Sequence, residues 1–311
     1  MNNIELDEAR ELWLSEQNYY EEYGNDLVKE IEAAFKSASI QATFSYRIKE
    51  NESLLKKMLR KNISYSALTD KVGARAIVHF LSDLSQSDEL IQRTFGERII
   101  KRQNKVEIAD NDTFGYLSIH YDIVNNVSSE NIMICEFQLR TVCQNAWSEL
   151  SHILSYKPDI ELPHNIKREV NALSALMEIA DNQFQRILDM INILPTSNPT
   201  RILRLLGDFF YSRIAAWYDS ELSQYFLNDV AILYEPNDDI ISILQTFIDD
   251  NGDDIASIAT ERKDVLFFSQ PEIVVILERL EKKPLILEDY WTTKFPKDQL
   301  EAVANAWGMS T

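Results

Sequence analysis

Strand-like periodicity is confined to the middle of this chain, and that confinement limits the fold more than any single residue does. Short runs rich in β-branched and aromatic residues, "ARAIVHF", "ERIIKRQNKVEI", "YLSIHYDIV" and "NIMICEFQL", all fall between residues 74 and 139, separated by polar or helical stretches. The mixture is that expected of an α/β or α+β domain. Upstream, residues 4–38 carry apolar side chains at helical spacing (Leu6, Leu12, Trp13, Tyr20, Leu27, Ile31, Phe35), which predicts helices packed over that domain as a lid or scaffold. Downstream of 161 the strand signals largely vanish. "IKREVNALSALMEIADNQFQRILDMINIL" keeps a helical period up to Pro195, Pro199 opens another helix, and further helices are expected near 221–233, 237–249, 271–282 and 297–307. The expected organisation is therefore N-terminal helices over 1–40, the strand-bearing domain over 41–160 and an all-helical extension over 161–311.

Composition excludes several classes of function. With 45% hydrophobic residues in 311, the chain can bury a core. It has no apolar run near 18 residues, and its acidic start, "MNNIELDEARELW", lacks the basic-then-apolar pattern of a secretory leader; the expected location is cytoplasmic, with no membrane partner. Cys135 and Cys143 are the two cysteines, too few for a disulfide framework or a zinc site. The seven glycines lie too far apart for a G-x-G-x-x-G or Walker-type loop, so any phosphate must be held by side-chain charge. None of the four histidines precedes an aspartate, which removes an HD-type metal phosphohydrolase. "DDNGDDIASIATE" resembles a calcium loop, but aligning Gly252 with the sixth place puts Phe247 and Ile258 at the first and twelfth, so it reads as an acidic turn.

Charge is distributed unevenly. The net charge of −19 disfavours indiscriminate binding to polyanions. Residues 41–80 nevertheless hold eight cations against Glu50, Glu52 and Asp70, a local +5, whereas residues 214–261 hold eleven carboxylates and no Lys or Arg. Within the strand-bearing region, alternation sorts the polar residues onto shared faces. In "ICEFQLRT", Cys135, Phe137 and Leu139 point one way and Glu136, Gln138 and Arg140 the other; in "FGYLSIHY", Tyr116, Ser118 and His120 share a face. Asp70 immediately precedes a strand, with Gly73 and Arg75 following. After the 134–141 strand, "NAWSELSHILSYK" places Asn145, Glu149, His152 and Tyr156 on one helical face. Alone, each feature has an ordinary structural reading: a solvated sheet face, a turn aspartate, packing rings.

Five blocks in order, "YRIKENESLLKKM", "LTDKVGARAI", "GYLSIHY", "CEFQLRT" and "AWSELSHILSYK", cover roughly residues 44–157 and resemble the synthetase domain of the RelA/SpoT family, particularly small alarmone synthetases. The resemblance implies an α+β fold, a mixed β-sheet flanked by helices and related to nucleotidyltransferases, and transfer of pyrophosphate from ATP to the 3′-hydroxyl of GDP or GTP, giving ppGpp or pppGpp. It implies that Arg47, Lys49, Lys56 or Lys57, and Arg75 clamp the ATP phosphates. Asp70 and Glu136 would be catalytic and close to Mg2+, with Glu136 also receiving the hydroxyl proton. Tyr116 would stack on the acceptor base, and His120, Gln138 and Asn145 would make polar contacts on the acceptor side, while Arg140 either binds phosphate or braces its strand.

One departure bears on the acceptor. Asp112 stands where many guanosine-specific relatives carry a lysine, so Lys101, Arg102 or Lys105 would have to compensate for it. This admits a second reading, a toxin-type enzyme acting on the 3′ end of tRNA, against which the acidic carboxyl-terminal half argues. A third reading is a catalytically weak nucleotide sensor or interaction module. Residues 161–311 resemble no assigned family; they would bury one side of the domain, regulate it, or contact a second copy or a neutralising protein partner.

Overall fold

The computed structural model describes residues 3–38, 40–104, 118–126, 132–155, 163–214 and 217–309. The chain divides into two compact units, Met1–Arg186 and Ile187–Thr311.

The first unit is built on a sheet whose described strands are β1 (Ala42–Ile48), β2 (Val72–Val78), β3 (Ile99–Asn104), β4 (Ile119–Val124) and β5 (Ile134–Thr141). Their spatial order is β1-β2-β5-β4-β3, with β2–β5 parallel and the other neighbours antiparallel. The sheet is therefore mixed, as the family resemblance implies. β1 went unforeseen as a strand because "ATFSYRI" mixes small polar and aromatic residues. In the sheet it alternates cleanly, Phe44, Tyr46 and Ile48 half-buried and Thr43, Ser45 and Arg47 exposed.

One face of the sheet is core. Val72, Ala74, Ala76, Tyr121, Ile123, Cys135, Phe137 and Leu139 are buried there with α3 (Leu81–Phe95) and with α1, one continuous helix over Asn3–Ser37. α1 turns Ala9, Trp13, Tyr20, Leu27, Ile31 and Phe35 inward at four- and seven-residue steps, whereas Leu12, expected inside, is exposed. Gly24 lets α1 approach closely: a Cβ there would lie 2.8 Å from Val72 Cγ2 and 2.9 Å from Tyr46 Cδ2. Phe35 meets Phe44 edge-on at 5.1 Å, and the Tyr23 hydroxyl donates to the Ile123 carbonyl at 2.8 Å. α1 is thus a scaffold packed on the back of the sheet.

The boundary between the units lies within α5 (His164–Asn192) rather than at 161. The reason is local: Asp181 of α5 accepts the Thr141 hydroxyl at 2.6 Å, and Gln185 Oε1 accepts the Ser82 backbone N–H at 2.9 Å, tying its first six turns to the sheet unit. Before it, α4 (Val142–Ser155) leaves the end of β5.

The second unit is helical: α6 (Pro199–Arg213), α7 (Ser220–Leu227), α8 (Ile240–Glu261), α9 (Ile273–Lys282), α10 (Pro284–Thr292) and α11 (Lys297–Ala306). α9 runs through its centre, with every residue from Ile273 to Leu280 buried. Phe226, Phe267, Trp291 and Phe295 form an aromatic cluster, Phe267 and Trp291 being 4.7 Å apart. One buried ion pair joins chain neighbours. Arg279 forks onto Glu278 at 2.5 and 2.6 Å and donates to the Leu233 carbonyl at 2.9 Å. The segment "DDNGDDIASIATE", expected to be an acidic turn, is the second half of α8. Leu244, Phe247, Ile255 and Ala259 supply an inward helical stripe, and Gly252 admits the Phe209 ring, whose Cε2 would lie 3.1 Å from a Cβ. Helix α10 was also unanticipated, although Pro284 at its first turn is a start signal. Among the described residues no helix is long and apolar enough to cross a membrane.

Candidate active site

The sheet face opposite α1 and α3 collects the polar side chains. Register sets them in rows: Arg47 stands opposite Gly73, Gly73 opposite Glu136, Glu136 opposite Asp122, and Asp122 opposite Lys101. Two residues along each strand, Ser45, Arg75, Gln138, His120 and Gln103 form the next row. A Cβ on Gly73 would touch only the Glu136 carbonyl oxygen, at 3.7 Å, so the floor between Arg47 and Glu136 is kept low by choice of residue and not by backbone need.

Asp70 occupies the end of this floor, just before β2. Lys49, one residue past β1, and Lys57, on α2 (Asn51–Lys61), both donate to its Oδ2, while its Oδ1 is buried without a hydrogen-bond partner among the described residues. Burial raises the Asp70 carboxyl, but the two ammonium groups more than offset it and hold it below the usual carboxylate range. Leu54 and Met58 anchor α2 inward and bring Lys57 with them. Lys56 is turned out, its side chain 77% exposed and 3.5 Å from Glu52. Of the two lysines named from the sequence, only Lys57 reaches the floor.

Glu136 is the centre of a hydrogen-bonded chain. His120 Nδ1 lies 3.1 Å from Oε1, Gln138 Nε2 donates to the same oxygen at 2.8 Å, and Arg140 in turn donates to Gln138 Oε1. Ser118 Oγ lies 2.6 Å from His120 Nε2, completing the line. The hydrogen bond from His120 outweighs burial and, with Gln138 and the nearby charges of His120 and Lys57, lowers the Glu136 carboxyl to about 2. Its second oxygen, Oε2, accepts no hydrogen bond among the described residues.

The remaining expected residues are placed as follows. Arg75 donates to Ser45 Oγ at 3.0 Å, Asn145 Oδ1 at 3.2 Å and Glu149 Oε1 at 2.8 Å, so residues assigned to opposite substrates, Arg75 and Asn145, are joined through α4. Arg140, grouped by alternation with Glu136 and Gln138, is buried at 7% exposure and braces Gln138. Arg47 is exposed at the edge strand. Tyr116, Asp112 and Lys105 lie outside the described residues.

Asp122 was missed. It follows His120 by two residues, so the alternation that selected Ser118 and His120 also selects it. It is half-buried directly across from Glu136. Burial raises its carboxyl, Lys101 opposes this, and Glu136 reinforces it.

Asp70 and Glu136 are hard oxygen donors, and the unpartnered Asp70 Oδ1 is the kind of atom a magnesium ion satisfies. Among the described residues no three carboxylate, His or Cys side chains cluster closely enough to cage a metal by themselves. The donor set thus fits an ion that completes its shell with water and phosphate oxygens rather than one held by protein alone. Two acids, one holding Lys49 and Lys57 and the other two strands from Arg47, suit a polyphosphate-metal ligand.

Residues 46–161 match the family model described as the region found in RelA / SpoT proteins. Two curated relatives from Bacillus subtilis (strain 168) align with the chain. GTP pyrophosphokinase YjbM is 26% identical over 147 residues, 45% of this chain and 69% of that protein. GTP pyrophosphokinase YwaC is 25% identical over 146 residues, 44% and 69% respectively. Among solved structures, small alarmone synthetase 1 from Bacillus subtilis bound to its product pppGpp is similar at 22% identity and a TM-score of 0.49, covering 58% of this chain and 99% of that one. A GTP pyrophosphokinase family protein from Streptococcus pneumoniae is similar at 23% identity and a TM-score of 0.49, covering 58% and 94%.

Proposed function

Since residues 46–161 are a RelA/SpoT region, we propose that this chain is an ATP-dependent pyrophosphokinase acting on the 3′-hydroxyl of GDP or GTP. The observation that carries the reading is the gathering of two carboxylates, Asp70, which holds Lys49 and Lys57, and Glu136, with Arg47 two strands away, on one side of the sheet. A glycine-poor chain binds phosphate by such side-chain charge, and the local excess of cations at 41–80 is used here.

In the reaction, the acceptor oxygen bonds to the β-phosphorus of ATP and the bond from that phosphorus to the α,β-bridging oxygen breaks. AMP departs and the β- and γ-phosphoryl groups remain on the acceptor. Lys49 and Lys57 shift from Asp70 toward phosphate oxygens, with Arg47 alongside. Magnesium, held by Asp70 and Glu136, supplies further neutralisation of phosphate charge when bound. With its pKa near 2, Glu136 is a weak proton acceptor in the resting site. Its role is to hold and orient the hydroxyl through Oε2 and to take the proton as the new bond forms. This suffices because phosphoryl transfer depends on positioning and charge more than on early proton removal. His120 and Gln138 fix the carboxylate for that task; Tyr116 is the proposed stacking platform for the base.

One placed feature favours the second reading, transfer to the 3′ end of tRNA. Asp122 adds a carboxylate beside Glu136, which suits an acceptor that lays hydroxyls rather than phosphates on this floor, as the 3′-terminal nucleoside of a tRNA would. A single assay separates the readings: ATP labelled in its terminal phosphate, magnesium, and GDP, GTP, adenine nucleotides or bulk tRNA as separate acceptors. Label in a guanosine tetra- or pentaphosphate is the expected outcome. Label on tRNA replaces the acceptor, and label nowhere overturns the enzyme in favour of a nucleotide sensor.

A further inference from the structure

We propose that Asp122 accepts a hydrogen bond from the acceptor's ribose 2′-hydroxyl, so that the site selects a ribose over a 2′-deoxyribose. This rests on the transfer reading above and assigns its acceptor side one further specificity-determining residue.

The argument begins with what Asp122 lacks. It is a half-buried carboxylate, yet it accepts no hydrogen bond and forms no ion pair among the described residues. Lys101, its register partner on β3, is exposed and leaves it unpaired. A partly desolvated carboxylate without donors is costly to fold, and the cost is offset when a ligand brings a donor. Glu136 is the contrast: equally placed on the floor, it already has His120 and Gln138 on one oxygen.

The ligand group must be a donor, which excludes phosphate oxygens, because they repel a carboxylate. A metal caged jointly by Asp70, Glu136 and Asp122 is not what these positions offer, since no three such groups cluster among the described residues. The group that remains is a hydroxyl. Opposed residues of an antiparallel pair have Cα atoms about 4.5–5.5 Å apart, and Asp122 and Glu136 are such a pair. Neighbouring hydroxyls on a ribose lie within hydrogen-bond distance of each other and point to the same side of the ring. With the 3′-hydroxyl on Glu136, the 2′-hydroxyl is the donor that falls toward the next carboxylate in the row. The alternative donor on a purine, an exocyclic amine, is carried at the far side of the base, away from the attacking 3′-hydroxyl.

The test is calorimetric titration of the full chain, in magnesium, with GDP and with 2′-deoxy-GDP, for wild type, Asp122→Ala and Asp122→Asn. A hydrogen bond to a charged group predicts that wild type binds GDP about 10- to 100-fold more tightly than its deoxy analogue. Asp122→Ala should bind both alike, at the wild-type level for the deoxy compound. Asp122→Asn, which keeps an acceptor oxygen and nearly the same shape, should retain part of the preference and guards against a folding defect in the alanine variant. Equal binding of both nucleotides by wild type, or a full preference surviving in Asp122→Ala, overturns the inference while leaving the transfer reading intact. Binding of neither nucleotide overturns the guanosine-acceptor reading and the inference together.

Discussion

Asp70 receives two lysines on one oxygen and, among the described residues, nothing on the other, and that asymmetry states what the site is prepared to do. In the resting protein Lys49 and Lys57 neutralise the aspartate; when a polyphosphate arrives they have a second, more highly charged partner within reach. Lys56 has no such position. The two neighbouring lysines should therefore separate in a mutational test. Lys57→Ala should raise the KM for ATP by about tenfold or more, the loss of one charge-assisted contact. Lys56→Ala should change it less than about twofold, because its exposed pair with Glu52 contributes little. Steady-state kinetics at varied ATP reads both. The site was largely legible at this scale: strict alternation isolates Glu136, Gln138 and His120 in the sequence, and the same rule carried two residues further reaches Asp122. What alternation does not show is the Arg75–Asn145–Glu149 junction, which joins residues seventy or more positions apart and exists only once α4 has folded back over β2.

Among the elements, α1 and α2 set the geometry of the floor from behind and from the side. α1 lies close against the sheet at Gly24, where a side chain would meet Val72 and Tyr46 inside ordinary contact distance. Gly24→Val should lower the stability of the first unit by about 1–3 kcal/mol as an overpacked contact. It should also displace β2, which begins at Val72, two residues after Asp70. Denaturant unfolding measures the first effect, and a rise in the KM for ATP the second. Helix positions in this protein were legible where apolar residues recur at three and four residues, as in α1 and α5. They were not where polar density disguised the period. The carboxylates of α8 lie on its outer side while Leu244, Phe247 and Ile255 face inward, so the local impression of an acidic turn gives way to tertiary burial. Strand β1 was obscured in the same way, because its inward residues are only half-buried.

At the scale of the molecule, two separate apolar cores underlie the two units, and only the first carries residues that the sequence ties to chemistry. The second has a titratable group of its own. Glu272 is fully buried, accepts the Ser223 hydroxyl at 2.6 Å, leaves Oε1 without a partner among the described residues, and is pushed up by burial to about 7. A carboxyl raised in the folded state favours folding most below its unfolded value near 4.5, and that contribution is lost as pH rises through about 7. Glu272→Gln, which carries no charge, should therefore match wild type near pH 4.5 and exceed it by about 3 kcal/mol at pH 8; chemical denaturation across that range checks the sign. Nothing in the sequence around Glu272 announces this, because its burial depends on the meeting of α7 and the start of α9. The central claim remains that the open face of the first unit transfers pyrophosphate and that Glu136 is its organising group. The most direct test is turnover of labelled ATP by wild type and Glu136→Gln, with ATP affinity measured on both. Transfer reduced by about a thousandfold or more with ATP binding retained is the predicted result, and equal turnover by the two proteins would contradict it.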